Sequence, residues 1–213
     1  MIQIYFLRHG VTEWNALQKF QGSIDIALSD KGREQAECAA GYFADISLDA
    51  IYSSPLKRAY ETAQILGKCQ GLNVEVVPEF SEISFGAWEG LTHNEIESKW
   101  PGALAMLYSN PDKWQIPESE SFEAVRQRAM RGLQQILYSL ETEENDEDDE
   151  KHIVIVSHGV TIRMLLCGLL HLPTSVSWRL NLGNAGISRV DHYGEEGNWL
   201  SLLNYTDHVS VFH

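Results

Sequence analysis

With 213 residues, 44% of them hydrophobic, the chain is long enough to bury a substantial core, and one domain spanning residues 1–213 is the expected organisation. A net charge of −14 with no basic patch argues against a nucleic-acid partner. No apolar run is long enough to cross a bilayer and no early segment has the layout of a secretory signal, so a cytoplasmic protein without a membrane partner is expected. Eight of the acidic residues fall in one stretch, ETEENDEDDE at 141–150, without which the net charge is −6, so arginines elsewhere can still form a positive pocket. The stretch lacks the glycine and spacing of a calcium loop and reads as a solvated linker. Cys38, Cys69 and Cys167 are far apart and form no CxxC pair, which excludes a disulfide framework or thiolate metal site and predicts reduced thiols.

In chain order, IYFLR is a short apolar run rich in β-branched and aromatic residues and reads as a buried strand that stops at His9. LSDKGREQAECAAGYFADI follows as an amphipathic helix with Ser29 as N-cap and Ala36, Ala39, Ala40 and Phe43 on one face. DAIYSS is the next strand. SPLKRAYETAQILGKCQG is a helix with Pro55 in its first turn and Gly71 at its stop. NVEVVPE is a further strand. Residues 79–121, with mixed periodicity, glycine, proline and tryptophans, read as loops and short helices forming a cap-like segment over the strand tips. SFEAVRQRAMRGLQQILYSL is a long helix leading into the acidic linker. A strand at 152–157, a helix at 160–170 and strands near 185–193 and 198–205 complete the chain. Alternating strands and helices imply a three-layer α/β/α sandwich on a mostly parallel sheet.

The tetrapeptide HGVT occurs twice, at residues 9–12 and 158–161, each time at the end of a predicted strand. Parallel sheets place ligand groups at such carboxyl ends, and the glycine after each histidine permits a sharp turn there. Arg8 beside His9 at the end of a buried strand needs an acidic structural partner or an anionic ligand, because an unpaired buried charge is costly. Arg58 falls at the same sheet edge, in the first turn of a helix that follows a strand. Taken alone it would be a solvent-exposed residue. Two arginines and two histidines at strand tips suit the oxygens of a phosphoryl group.

No P-loop, aspartate cluster for magnesium or HExxH is present, so neither an NTPase nor a metal-dependent phosphatase is supported and no metal or other cofactor is expected. Metal-free phosphoryl transfer needs a nucleophile, which a neutral imidazole can be, and an acid for the departing oxygen. EFSEISFGAWEGL offers Glu79, Glu82 and Glu89; Glu79 and Glu89 fit surface positions better. A carboxyl group beside bound phosphate and the apolar Phe85 and Trp88 keeps its proton, as a general acid must.

Five ordered segments, LRHGVTEWN, FQGSIDIALSDKGREQA, IYSSPLKRAYETA, EISFGAWEG and VSHG, together resemble the histidine phosphatase superfamily, the phosphoglycerate mutase-like proteins. The resemblance covers nearly the whole chain. It implies that His9 is transiently phosphorylated, that Arg8, Arg58 and His158 clamp the phosphoryl oxygens, and that Glu82 donates the proton and later takes one. It also implies that Asn15, Gln21 and Gly22 line the phosphate pocket, with Thr12 and Gly159 among the residues expected to meet the substrate. The two histidines would then flank one phosphate, which accounts for the repeated HGVT.

Within that superfamily the mutases resembled carry a YGxLxGLNK-type stretch and an arginine-bearing insertion for a second anionic group. This chain reads FGAWEGLTHNEIE, and its only lysines and arginines between 86 and 125 are Lys99 and Lys113. The expected function is therefore a phosphomonoesterase for a small phosphorylated metabolite, with a cofactor-dependent mutase as the alternative. Ser119-Glu120-Ser121 replaces the family's Gly-Glu-Ser, which alters the substrate-facing loop. A non-catalytic phospho-ligand module would use the arginines but would have no need of both His9 and Glu82. Trp88, Trp100, Tyr108 and Trp114 could stack on a substrate ring, but most of them are read as packing for the cap. The substrate stays open among broad phosphomonoesters, α-ribazole phosphate, phosphoserine and phosphoglycerate, and a homodimer stays open as the assembly.

Overall fold

The computed structural model describes residues 1–142 and 150–212. Six strands, β1 (Ile2–Arg8), β2 (Ala50–Ser53), β3 (Val74–Val76), β4 (Lys151–Ser157), β5 (Ile187–His192) and β6 (Asn198–Tyr205), form one sheet in the order β3-β2-β4-β1-β5-β6. β5 is antiparallel to both its neighbours and the other pairings are parallel, so β5 alone runs against the rest. The helices are α1 (Glu13–Ala16), α2 (Asp30–Tyr42), α3 (Lys57–Gln70), α4 (His93–Lys99), α5 (Ala103–Ser109), α6 (Phe122–Thr142) and α7 (Gly159–Leu169).

Side-chain alternation along the central strands sorts the core into two layers, because successive residues of a strand point to opposite faces. Ile4 and Phe6 of β1 with Ile153 and Ile155 of β4 pack against Leu133 and Leu137 of α6 and Ile162, Leu165 and Leu166 of α7. Tyr5, Leu7, Val154 and Val156 pack on the other face against Ala39 and Ala40 of α2 and Ala59, Ala63 and Leu66 of α3. The expected three-layer α/β/α sandwich is what forms. No helix among the described residues is long and apolar enough to cross a membrane.

Several element boundaries differ from the sequence expectations for local reasons. Pro55 stands outside the helix: Leu56 is the N-cap, and the Asp25 carboxylate accepts from Lys57 N at 2.7 Å, which starts α3 at Lys57. Gly71 does end that helix, in the left-handed region at φ 69°. β3 is cut to three residues because Pro78, which has no N–H for a ladder, begins a 3-10 turn. Glu141 and Thr142, assigned to the acidic linker, are the last turn of α6. Glu150 accepts from Gln3 Nε2 and lies 3.5 Å from His152. The rest of that stretch, 143–149, lies outside the described residues.

The segment 79–121 holds 3-10 turns and the short helices α4 and α5. A third apolar cluster fixes it to the ends of α6 and α7: Ile83, Phe85, Trp88, Ile96, Leu107 and Trp114 pack with Phe122, Val125, Val160 and Met164. Trp88 and Trp114 are buried here, 5.2 Å apart between ring centroids, so packing is their role.

Candidate active site

The parallel pairing of β1 with β4 decides the geometry of the site. Arg8 is in register with Ser157, so the next residues, His9 and His158, leave adjacent strands side by side; His9 N donates to Ser157 O at 3.0 Å and the two rings are 5.2 Å apart. His9 Nδ1 is 2.7 Å from Gly10 O. A carbonyl can only accept, so Nδ1 carries the proton and Nε2 keeps its lone pair. Burial, then Arg58 and Arg8, hold the His9 pKa well below 6.5, leaving a neutral imidazole at neutral pH.

His158 is fully buried and N-caps α7. Its Nε2 lies 2.7 Å from Ser54 Oγ, which accepts from Leu56 N at 3.2 Å. Ser54 Oγ has both a proton and a second lone pair left for Nε2, and Nδ1 of His158 is buried with no partner among the described residues. Burial, then Arg58, His9 and Arg8, also depress this histidine's pKa well below 6.5.

Two guanidinium groups stand beside His9. Arg8 donates through Nη1 to Leu182 O at 2.5 Å. Arg58 donates through Nη1 to Ile24 O at 2.8 Å and through Nη2 to Gly22 O at 2.7 Å. Nε of each is buried without a partner among the described residues. Burial lowers the pKa of both, Arg58 to about 10, so both stay charged at neutral pH. Gly22 is required where it is: its φ is +55°, and a Cβ there would come within 2.1 Å of Glu89 Oε1.

Glu82 sits on the N-terminus of α7. Its Oε2 accepts from Val160 N and its Oε1 from Thr161 N, each at 3.1 Å, satisfying two of the helix's unpaired amides. Glu89 is engaged elsewhere, accepting from Ser23 N at 2.7 Å and Phe85 N at 3.0 Å, and Glu79 packs against the Gly132 side of α6.

A cavity of about 590 Å³ opens over these groups. Arg8, His9, Asn15, Gln21, Gly22, Arg58, Glu82 and Gly159 of the sequence-predicted set line it, and of the three glutamates considered Glu82 alone does so. His158 and Thr12 do not line it. His158 lies behind the wall against the His9 ring. Thr12 is the N-cap of α1; its N–H donates to Asn15 Oδ1 and its hydroxyl to Gln21 Oε1, each at 3.0 Å, so it fixes the two amides and leaves their NH₂ groups for a ligand.

Sequence reading missed most of the outer wall, Lys19, His93, Arg163 and Trp178, and singled out only Tyr108, which lines the cavity. It also missed Ser54, which orients His158, and Asn184, whose Nδ2 donates to His9 O at 3.0 Å. One of these left a signal, since Arg163 is the only charged residue of the otherwise apolar α7. Among the described residues no group of three or more His, Cys, Asp or Glu side chains is placed to hold a metal ion.

A neutral, oriented imidazole beside two guanidinium groups at the tips of a parallel sheet, with a carboxyl group lining the same cavity, suits a phosphoryl group. Residues 4–206 match the family described as histidine phosphatase superfamily (branch 1), and the chain belongs to that superfamily. It is 32% identical over 213 residues to phosphoserine phosphatase 1 of Hydrogenobacter thermophilus, covering 100% of this chain and 97% of that protein. It is 32% identical over 201 residues to a probable phosphoglycerate mutase of Erwinia tasmaniensis, covering 94% of this chain and 89% of the relative. A mycobacterial glucosyl-3-phosphoglycerate phosphatase in complex with VO3 superposes with a TM-score of 0.87 at 32% identity, covering 95% of this chain and 98% of its own. By this kinship the chain stands with the phosphoric monoester hydrolases.

Proposed function

We propose that the protein is a metal-independent phosphomonoesterase that cleaves a small phosphorylated metabolite through a phosphohistidine. The observation that carries the reading is the His9 tautomer: Gly10 O holds the proton on Nδ1, so the lone pair is on Nε2 of a ring that lines the cavity between Arg8 and Arg58. In the first step Nε2 attacks phosphorus while the P–O bond to the alcohol breaks, and Glu82 gives its proton to the departing oxygen. In the second step water attacks the phosphohistidine, its proton passes to the Glu82 carboxylate, and the N–P bond breaks to release inorganic phosphate.

Arg8 and Arg58 offset the charge that builds on the equatorial oxygens, and His158, packed against the His9 ring from behind the wall, keeps that ring in place. Asn15 and Gln21, fixed by Thr12, supply amide donors. Because these fixed positive groups stabilise the charge, a metal ion has no task in the scheme.

Some relatives carry a mutase name, so return of the phosphoryl group to an acid is the second reading. The cap itself supplies no cation for a second anionic group, since neither Lys99 nor Lys113 lines the cavity, although Arg163 of α7 does. Two measurements test the proposal. Incubation with p-nitrophenyl phosphate and with 3-phosphoglycerate should release inorganic phosphate; isomerisation of 3-phosphoglycerate without net release would establish the mutase. Rapid acid-free quenching should trap base-stable, acid-labile phosphate on the protein, and His9→Ala should abolish both the label and turnover. Label persisting in that variant would assign the nucleophile elsewhere.

A further inference from the structure

Arg163 is the third guanidinium of the cavity, and nothing in the two-step scheme uses it. It projects from the first turns of α7, whose other residues are apolar or small, and it is only 8% exposed. Its Nη1 donates to Gly159 O at 2.9 Å, its Nε donates to Leu180 O at 3.0 Å, and its Cζ stands 4.8 Å from the centroid of the Trp178 ring. A guanidinium has five N–H groups, so three remain on the Nη1 and Nη2 edge. Among the described residues no carboxylate lies within ion-pair distance of it, although it lines the cavity. A buried cation held by two carbonyls and an aromatic face, with its forked edge unpaired, is built to meet an anion.

That anion is not the phosphoryl group. A Cβ on Gly159 would lie 3.1 Å from Arg163 Nη1 and 3.6 Å from Arg8 Cζ, so this glycine leaves room for both guanidiniums at one wall of the cavity. A phosphate dianion balances Arg8 and Arg58 and leaves Arg163 without a counter-charge from the ligand. The remaining wall beside it is aromatic and aliphatic, with Trp178, Tyr108 and Val160. We infer that Arg163 is a specificity-determining residue that binds a carboxylate on the alcohol portion of the substrate, selecting phosphomonoesters of small hydroxy acids over uncharged phosphoalcohols. The inference rests on the phosphomonoesterase reading and names its substrate class.

The test compares 3-phosphoglycerate with glycerol 3-phosphate, which differ in having a carboxylate or a CH₂OH at the same position, with p-nitrophenyl phosphate as a reference that has no carboxylate. Wild-type protein should show kcat/KM roughly 10- to 100-fold higher for 3-phosphoglycerate, the range expected of one charge-assisted hydrogen-bonded pair. Arg163→Met should remove that preference while leaving the other two substrates within about threefold, and Arg163→Lys should restore part of it. Equal losses on all three substrates in Arg163→Met would show that the residue only braces the Leu180 loop and would overturn the inference. The wild-type comparison needs no variant: absence of any preference for the carboxylate overturns it even if Arg163→Met does not fold. Phosphate release from p-nitrophenyl phosphate without such a preference would leave the phosphomonoesterase reading standing, whereas no release from any of the three by wild type would remove that reading as well.

Discussion

His9 and His158 face each other with ring centroids 5.2 Å apart because β1 and β4 are adjacent, parallel and in register up to Arg8 and Ser157. Both imidazoles are buried beside Arg8 and Arg58, and neither can take a second positive charge into that setting without loss. Their arrangement has a consequence for stability as well as for catalysis.

Both histidines have folded-state pKa values well below 6.5, while the unfolded chain binds protons at about the ordinary value near 6.5. Below that pH the unfolded state holds more protons than the folded one, so stability rises with pH and is lost as pH falls from 6.5. Each histidine contributes a slope of up to about 1.4 kcal/mol per pH unit. Melting temperature recorded without phosphate between pH 7.5 and 5 should fall below 6.5, and His158→Asn should flatten the curve. A flat wild-type curve would contradict the buried neutral pair.

Glu82→Gln keeps the shape of the side chain but has no proton to give. Single-turnover phosphorylation by an alkyl phosphate should slow by roughly 10²–10⁴-fold, the range of general acid catalysis, while that by p-nitrophenyl phosphate should slow far less because its leaving phenolate is stable. Equal losses in this first step would refute the assignment.

Charge stabilisation by Arg8 and Arg58 predicts turnover that EDTA does not diminish. Dialysis against chelator followed by assay checks it. Loss of activity that magnesium or zinc restores would show that a metal takes part.

Gly32 at the start of α2 touches the loop after His9 closely. A Cβ on Gly32 would be 2.1 Å from Val11 O, and one on Gly10 would be 2.3 Å from Gly32 O. Gly32→Ala should therefore destabilise the protein by about 1–3 kcal/mol in denaturant titration, the usual cost of overpacking. Because the same loop presents the Gly10 carbonyl that fixes the His9 tautomer, kcat should fall as well. A variant with wild-type stability and turnover would show that the contact is easily relieved.

Local pattern determined the strands that end at His9 and His158, the Ser29 cap of α2, the αL stop at Gly71 and the long amphipathic α6, because each depends on a few neighbouring residues or on one periodicity. Ordered motifs carried the family and the inner ring of the site for the same reason, since Arg8, His9, Arg58 and Glu82 each lie at or near a strand or helix end that sequence marks. Tertiary packing decided the rest. Only the β1–β4 register sets the two imedazole rings together, and only the Thr12 hydroxyl's approach to Gln21 shows that it positions the wall instead of forming it. The outer wall joins Tyr108 of α5, Arg163 of α7 and Trp178 of a 3-10 turn. These residues come from three separated segments whose meeting depends on how the cap cluster seats on α6 and α7, a long-range contact that no local periodicity encodes.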